Sequence, residues 1–201
     1  MKIISIGCNC EVGFFIKNNF NSEYYPFDWI WSNIDFVINT FETDYFEFTE
    51  CEKLNPVWDP PHQHTYIFNN NCKGEPTRIC SAVGVHDADY QSPEEYHSNI
   101  PAINEKYKRR FKRLYDVLDQ NEDVILIRKV LDSCQGAVKP SFDTNEKINY
   151  LSELLSKKCK ANITICVVDD EGFINNEIPL NHKVKLFSSF NDLLLFIQSS
   201  C

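Results

Sequence analysis

Glycine, arginine and long apolar runs are what this sequence has little of. Glycine occurs 6 times in 201 residues and arginine 5 times. So few glycines leave no Gly-x-Gly-x-x-Gly fingerprint, and the lone Gly7 of the first turn is a weak phosphate-loop signal. No stretch approaches the roughly 18 consecutive apolar residues of a membrane span, which excludes a transmembrane helix. Lys2 is followed only by Ile3, Ile4, Ser5 and Ile6 before Gly7, too short for the apolar core of a signal peptide. Positive charge is scarce as well. The formal net charge is −9 and the pI is near 5.0, which argues against binding a nucleic-acid backbone. A cytoplasmic protein with no membrane and no nucleic-acid partner is expected.

Hydrophobic residues make up 43% and aromatics 13%, so the chain is not disordered. Its length fits a single domain over 1–201, able to bury roughly 70% of its unfolded surface without a disulfide or metal staple. The cysteines number 9, an odd count that suits reduced thiols in the cytosol better than a disulfide framework. Lysine outnumbers arginine 15 to 5, and asparagine occurs 20 times. That bias follows codon usage in AT-rich genomes and suggests a low-GC bacterium or a large DNA virus; a viral protein would act in the host cytoplasm.

Apolar spacing predicts the elements. Strands are expected at Lys2–Gly7, His64–Phe68, Arg78–Val85, Asp123–Arg128, Ile163–Val168 and Lys183–Phe187. Helices are expected at Glu11–Lys17, from Ser32 (a capping box with Asp35) through Phe41, at Asn104–Leu118, Thr144–Lys158 and Phe190–Ile197. Ser92-Pro93-Glu94-Glu95 reads as a helix start that Pro101 breaks or restarts. Residues 44–61 read as irregular, with Pro56, Pro60 and Pro61. Strand–helix alternation around the continuous apolar runs implies an α/β fold with a mostly parallel sheet and flanking helices, a Rossmann-like or esterase-like three-layer arrangement. A hairpin-containing insertion interrupts the middle third. In such sheets ligands sit beyond the carboxyl ends of the strands. That directs attention to Gly7–Cys10 and to the region after Arg128.

Cys10 follows the first strand at a helix start, capped by Asn9. Helix N-terminal amides favour a thiolate and can contribute to an oxyanion hole; a thiol packed under the helix is the plain alternative. Cys8-Asn9-Cys10 is a weaker redox signal than Cys-x-x-Cys. A nucleophilic cysteine needs a base and an orienting group. His86, leaving a predicted strand beside Asp87, has the best context of the 5 histidines. Asp28 lies among the aromatics of Tyr25-Pro26-Phe27-Asp28-Trp29, where it either orients a histidine or closes an Asx-type turn. His62, His64, Cys72 and Cys80 match no common zinc spacing, and no metal or cofactor is expected. Among the arginines, Arg110 and Arg128 are candidates for holding an anion or a carboxylate, with surface ion pairing as the plain alternative.

Ser5-Ile6-Gly7-Cys8-Asn9-Cys10, Tyr25-Pro26-Phe27-Asp28-Trp29, His86-Asp87, Lys106-Tyr107-Lys108-Arg109-Arg110 and Ile127-Arg128 occur in the order of one family. Over about residues 3 to 130 the chain resembles the family of putative papain-like cysteine peptidases found in bacteria and large DNA viruses. The Tyr-Pro-Phe-Asp-Trp block is its most specific motif. The His-Asp pair departs from the pattern by continuing with Ala88 instead of an aromatic. The resemblance carries over to Cys10, Asp28, His86, Asp87, Arg110 and Arg128. It implies a cysteine-dependent hydrolase, peptidase-like or an acyl transferase. Cys10 would be its nucleophile, His86 its base and Asp28 or Asp87 the orienter. Asn9, Arg110 and Arg128 would line the site for a small-molecule or peptide substrate, an anionic one included. Papain's own Cys-Gly-Ser/Ala-Cys-Trp/Tyr signature is absent, and a cysteine after an opening parallel strand resembles an esterase arrangement more. The alternatives are a noncatalytic module binding an anionic small molecule at the first strand–helix turn, or a protein that engages a host protein partner.

Overall fold

A computed structural model describes residues 1–7, 10–20, 22–29, 32, 34–44, 54–59, 64–69, 79–81, 93–130, 143–172, 174 and 179–200, with the backbone alone over 54–59, 64–69, 79–81, 93–100 and 103–104. Four strands form one all-parallel sheet: β1 (Lys2–Ser5), β5 (Asp123–Lys129), β6 (Asn162–Val168) and β7 (Val184–Phe187), in the order β1-β5-β6-β7. The five helices are α1 (Cys10–Asn19), α2 (Ile34–Glu42), α3 (Pro93–Leu118), α4 (Asn145–Lys158) and α5 (Phe190–Ser199). The mixed α/β class with a parallel sheet and flanking helices is the one expected.

Alternation along the strands sorts the core into two faces. Ile125, Ile127, Cys166 and Val168 face Val12 and Ile16 of α1 and Leu193 and Ile197 of α5. Ile4, Val124, Leu126, Ile163, Ile165 and Val167 face the other way, with Phe36 and Phe41 of α2, Phe111 and Leu114 of α3, and Ile148 and Leu151 of α4. The continuous apolar runs of β5 and β6 follow from this coverage of both faces. Two helix starts carry side-chain caps. Thr144 accepts from the Lys147 N–H at the start of α4, and Ser189 accepts from Asp192 N–H at the start of α5.

Beside this sheet stands a three-stranded antiparallel one, β2 (Leu54–Asp59), β3 (His64–Asn69) and β4 (Ile79–Ser81), in the order β2-β3-β4. The β3–β4 pairing is the expected hairpin. Strand β2 corrects the reading of 44–61 as irregular throughout. Pro56 pairs with Ile67 on an edge strand, where a missing N–H can face away from the ladder. Pro101 is also corrected: α3 runs through it unbroken. The Ser32 capping box is not formed, because α2 begins at Ile34 and the Ser32 hydroxyl is buried with no hydrogen-bond partner among the described residues. No helix of the described residues is long and apolar enough to cross a membrane.

Candidate active site

The carboxyl end of β1 is shaped by two backbone features. The Ile6 N–H reaches the Ile127 carbonyl at 2.9 Å, extending the pairing with β5. Gly7 then takes φ +84°, a conformation that disfavours a side chain, and its N–H donates to the Ser5 hydroxyl at 3.1 Å. Cys10 is the first residue of α1, half-buried and unbridged. Its thiol departs from expectation. Burial pushes it up, a backbone hydrogen bond offsets part of that, and the Glu11 carboxylate pushes it up further. A base beside Cys10 would favour its ionisation.

The Tyr25–Trp29 turn is the second part of the site. Phe27 is fully buried, with its ring 6.1 Å from Phe111, 6.2 Å from Phe41 and 6.4 Å from Phe36. Asp28, 4% exposed, accepts the Tyr25 N–H at 2.7 Å. The bond runs back to a residue three positions earlier, so it closes the turn from its far end and is not the Asx-type turn weighed from sequence. The backbone of Asp28 abuts Gly13 on α1. Gly13 lies three residues after Cys10 and so shares its helix face.

Arg128 is 2% exposed and fully engaged. Its fork grips Asp143 through Nε at 2.5 Å and Nη2 at 2.9 Å; Nη1 donates to the Ile6 carbonyl at 3.2 Å and Nη2 to the Ser32 carbonyl at 3.1 Å. One guanidinium thus ties the end of β1, the approach to α2 and the start of α4 to β5. An anion at Arg128 would compete with Asp143. Arg110, 7% exposed, lies over the rings of Tyr24 and Tyr107, each at 5.6 Å. Arg113 donates to the Tyr24 carbonyl and approaches Glu23 at 3.5 Å. The motif-bearing helix α3 therefore holds the segment leading into the aromatic turn.

Sequence reasoning passed over Lys129. Its Nζ lies 2.6 Å from Glu11 and 2.9 Å from Asp170, and its side chain is 10% exposed. Burial pulls this ammonium down, but hydrogen bonds and charge from Glu11 and Asp170 outweigh it and raise its pKa overall. The pair spans 118 positions, so no local motif signals it. The rule that places ligands beyond the carboxyl ends of strands was the available signal. A cavity of about 640 Å³ lies at the opposite end of the sheet, lined by Lys2, Ile3, Phe20, Tyr25 and Asp123 among others; it holds none of the expected site residues.

Asn9, His86 and Asp87 lie outside the described residues, as do Cys8, His62, Cys72 and the side chains of His64 and Cys80. Residues 1–170 match the family described as putative papain-like cysteine peptidase. No curated protein matches the chain. No solved structure matches it.

Proposed function

The chain belongs to that family of putative papain-like cysteine peptidases, and on this footing we propose that it is a cysteine-dependent hydrolase with Cys10 as its nucleophile. One observation carries the reading: Cys10 opens α1 just past the carboxyl end of β1, half-buried, on the helix whose Gly13 packs against the Asp28 backbone. That edge is where parallel sheets place their ligands.

In this reading His86 takes the thiol proton and the thiolate attacks a carbonyl carbon. The C–S bond forms, and the amine or alcohol leaves with the proton returned by His86. Water then hydrolyses the thioester. A base matters here because burial raises the Cys10 thiol. Asp87 or Asp28 orients His86. One Asp28 oxygen is already committed to Tyr25, which favours Asp87. Asn9, Arg110 and Arg128 are the candidate substrate contacts. At Arg128 an anion would have to share the fork with Asp143. The parallel sheet suits acyl transfer broadly, to esters as well as peptides.

An electrophilic thiol probe tests this. Cys10→Ala should abolish labelling at that position, and His86→Ala should slow it at neutral pH. Equal labelling rates at Cys10 with and without His86 would remove His86 as the base. The same turn, at the N-terminus of α1, supports a second reading, a noncatalytic module that binds an anionic small molecule there. Ligand-induced stabilisation that survives Cys10→Ser, together with no thiol-dependent turnover, would select it.

A further inference from the structure

Lys129 is the residue at this edge that neither the motifs nor the proposed chemistry uses. It ends β5, and its carboxylate partners come from two other elements: Glu11 in the first turn of α1, and Asp170 just past β6. Its stem is covered, with the ammonium 5.9 Å from the centre of the Phe190 ring of α5. This is no surface pair swinging in water. A lysine held at 10% exposure between two carboxylates fixes three chain segments against one another.

Glu11 is the residue next to Cys10, and α1 begins at Cys10. Whatever holds Glu11 therefore holds the turn that presents the thiol. We propose that Lys129 is a positioning residue for Cys10, anchoring the first turn of α1 through Glu11 and neutralising the charge of that carboxylate beside the thiol. This rests on the reading of Cys10 as the reactive group.

The charged groups gathered at this edge limit how the effect can arise. Glu11 comes from α1, Lys129 and Arg128 from β5, Asp169 and Asp170 from the end of β6, Asp143 from the start of α4 and Asp28 from the aromatic turn. Arg128 is occupied by Asp143. Asp169 accepts the Ile174 N–H, and Asp28 the Tyr25 N–H. Lys129 meets Glu11 directly, at 2.6 Å. The Glu11 charge is one of the influences that raise the Cys10 thiol. Removing Lys129 removes the compensation it gives that charge.

The test reads the rate of Cys10 alkylation by iodoacetamide across pH, followed on the Cys10-bearing peptide by mass spectrometry in the full chain. Lys129→Met should move the profile to higher pH and slow modification at fixed pH by about threefold or more, since one pKa unit is a tenfold change in thiolate. Glu11→Gln, which removes the charge but keeps an oxygen that can accept from Lys129, should move it to lower pH. The double variant should return towards the parent profile, the signature of a coupled pair. A merely structural role for Lys129 would not be reversed by Glu11→Gln. An unmoved profile in Glu11→Gln, or a Lys129→Met shift that Glu11→Gln does not reverse, overturns the proposal. Because iodoacetamide needs no substrate, loss of hydrolysis in the parent protein would count against the hydrolase reading and leave this test standing.

Discussion

Gly13 of α1 and Asp28 of the aromatic turn meet main chain to main chain: a Cβ built on Gly13 would stand 2.3 Å from the Asp28 carbonyl oxygen and 3.1 Å from its carbon. The obstacle is backbone, so it cannot rotate aside. The contact sets the distance between the helix that carries Cys10 and the turn that carries the buried carboxylate. It also explains a glycine inside a helix, where alanine would otherwise be preferred by about 1 kcal/mol.

Gly13→Ala should therefore destabilise the protein despite its better helix propensity. The expected loss is about 1–3 kcal/mol, the usual cost of overpacking a filled site, read as a lower urea midpoint at unchanged slope. Displacement of α1 should also change the Cys10 alkylation rate. An alanine variant as stable as the parent would mean that the helix and turn are not locked together here.

Arg128 supplies a second test, because structure and substrate binding predict different outcomes. Removing one partner of a buried pair costs about 3–5 kcal/mol, as the other charge is left stranded. Arg128→Met and Asp143→Ala should each show a loss of that order in chemical unfolding. Arg128→Lys keeps the charge but not the fork, and should fall between. If Arg128 served a substrate anion alone, Arg128→Lys would weaken KM at unchanged stability.

Asp28 separates in the same manner. Its carboxylate accepts the Tyr25 N–H at 2.7 Å, an acceptor that asparagine can imitate and alanine cannot. Asp28→Ala should cost about 1–3 kcal/mol for a buried donor left without a partner. Asp28→Asn should retain most of the stability. Full stability with lost activity in Asp28→Asn would show that the negative charge, not the turn, is what the site needs.

The sheet was legible in the sequence because Val124–Ile127 is an unbroken apolar run and Ile163–Val168 is apolar but for Thr164, as a parallel strand covered on both faces demands. The helices from about Thr144 and Phe190 were legible from apolar spacing as well. What escaped notice depends on partners distant in the chain. Pro56 reads as a breaker until its strand is known to be an edge. Lys129 meets Glu11 across 118 positions, and Arg128 meets the Ile6 carbonyl across 122. Cys10 was found by position, yet its protonation depends on burial, which spacing along the chain does not reveal.

The described cysteines should differ in reactivity in an order that burial dictates. The Cys166 thiol is pushed up to about 12 by burial on the sheet, with Lys185 opposing, and that of Cys159 to about 11, again chiefly by burial. Cys10 is also raised, though less, and it is half-exposed. Under native conditions a thiol reagent should modify Cys10 first, Cys159 more slowly and Cys166 only after unfolding, with site occupancy read by mass spectrometry. The same shifts fix a sign for stability. A thiol that resists ionisation when folded favours the native state fully below its ordinary value near 9.0, and that contribution is lost as pH rises through about 12 for Cys166. Stability should thus fall with alkali from about pH 9 upward. Cys166→Val, which fills the site without a titrating group, should flatten that limb of the curve. An alkaline limb unchanged by the substitution would assign the loss to other groups, Tyr25 foremost, whose hydroxyl burial pushes up to about 12.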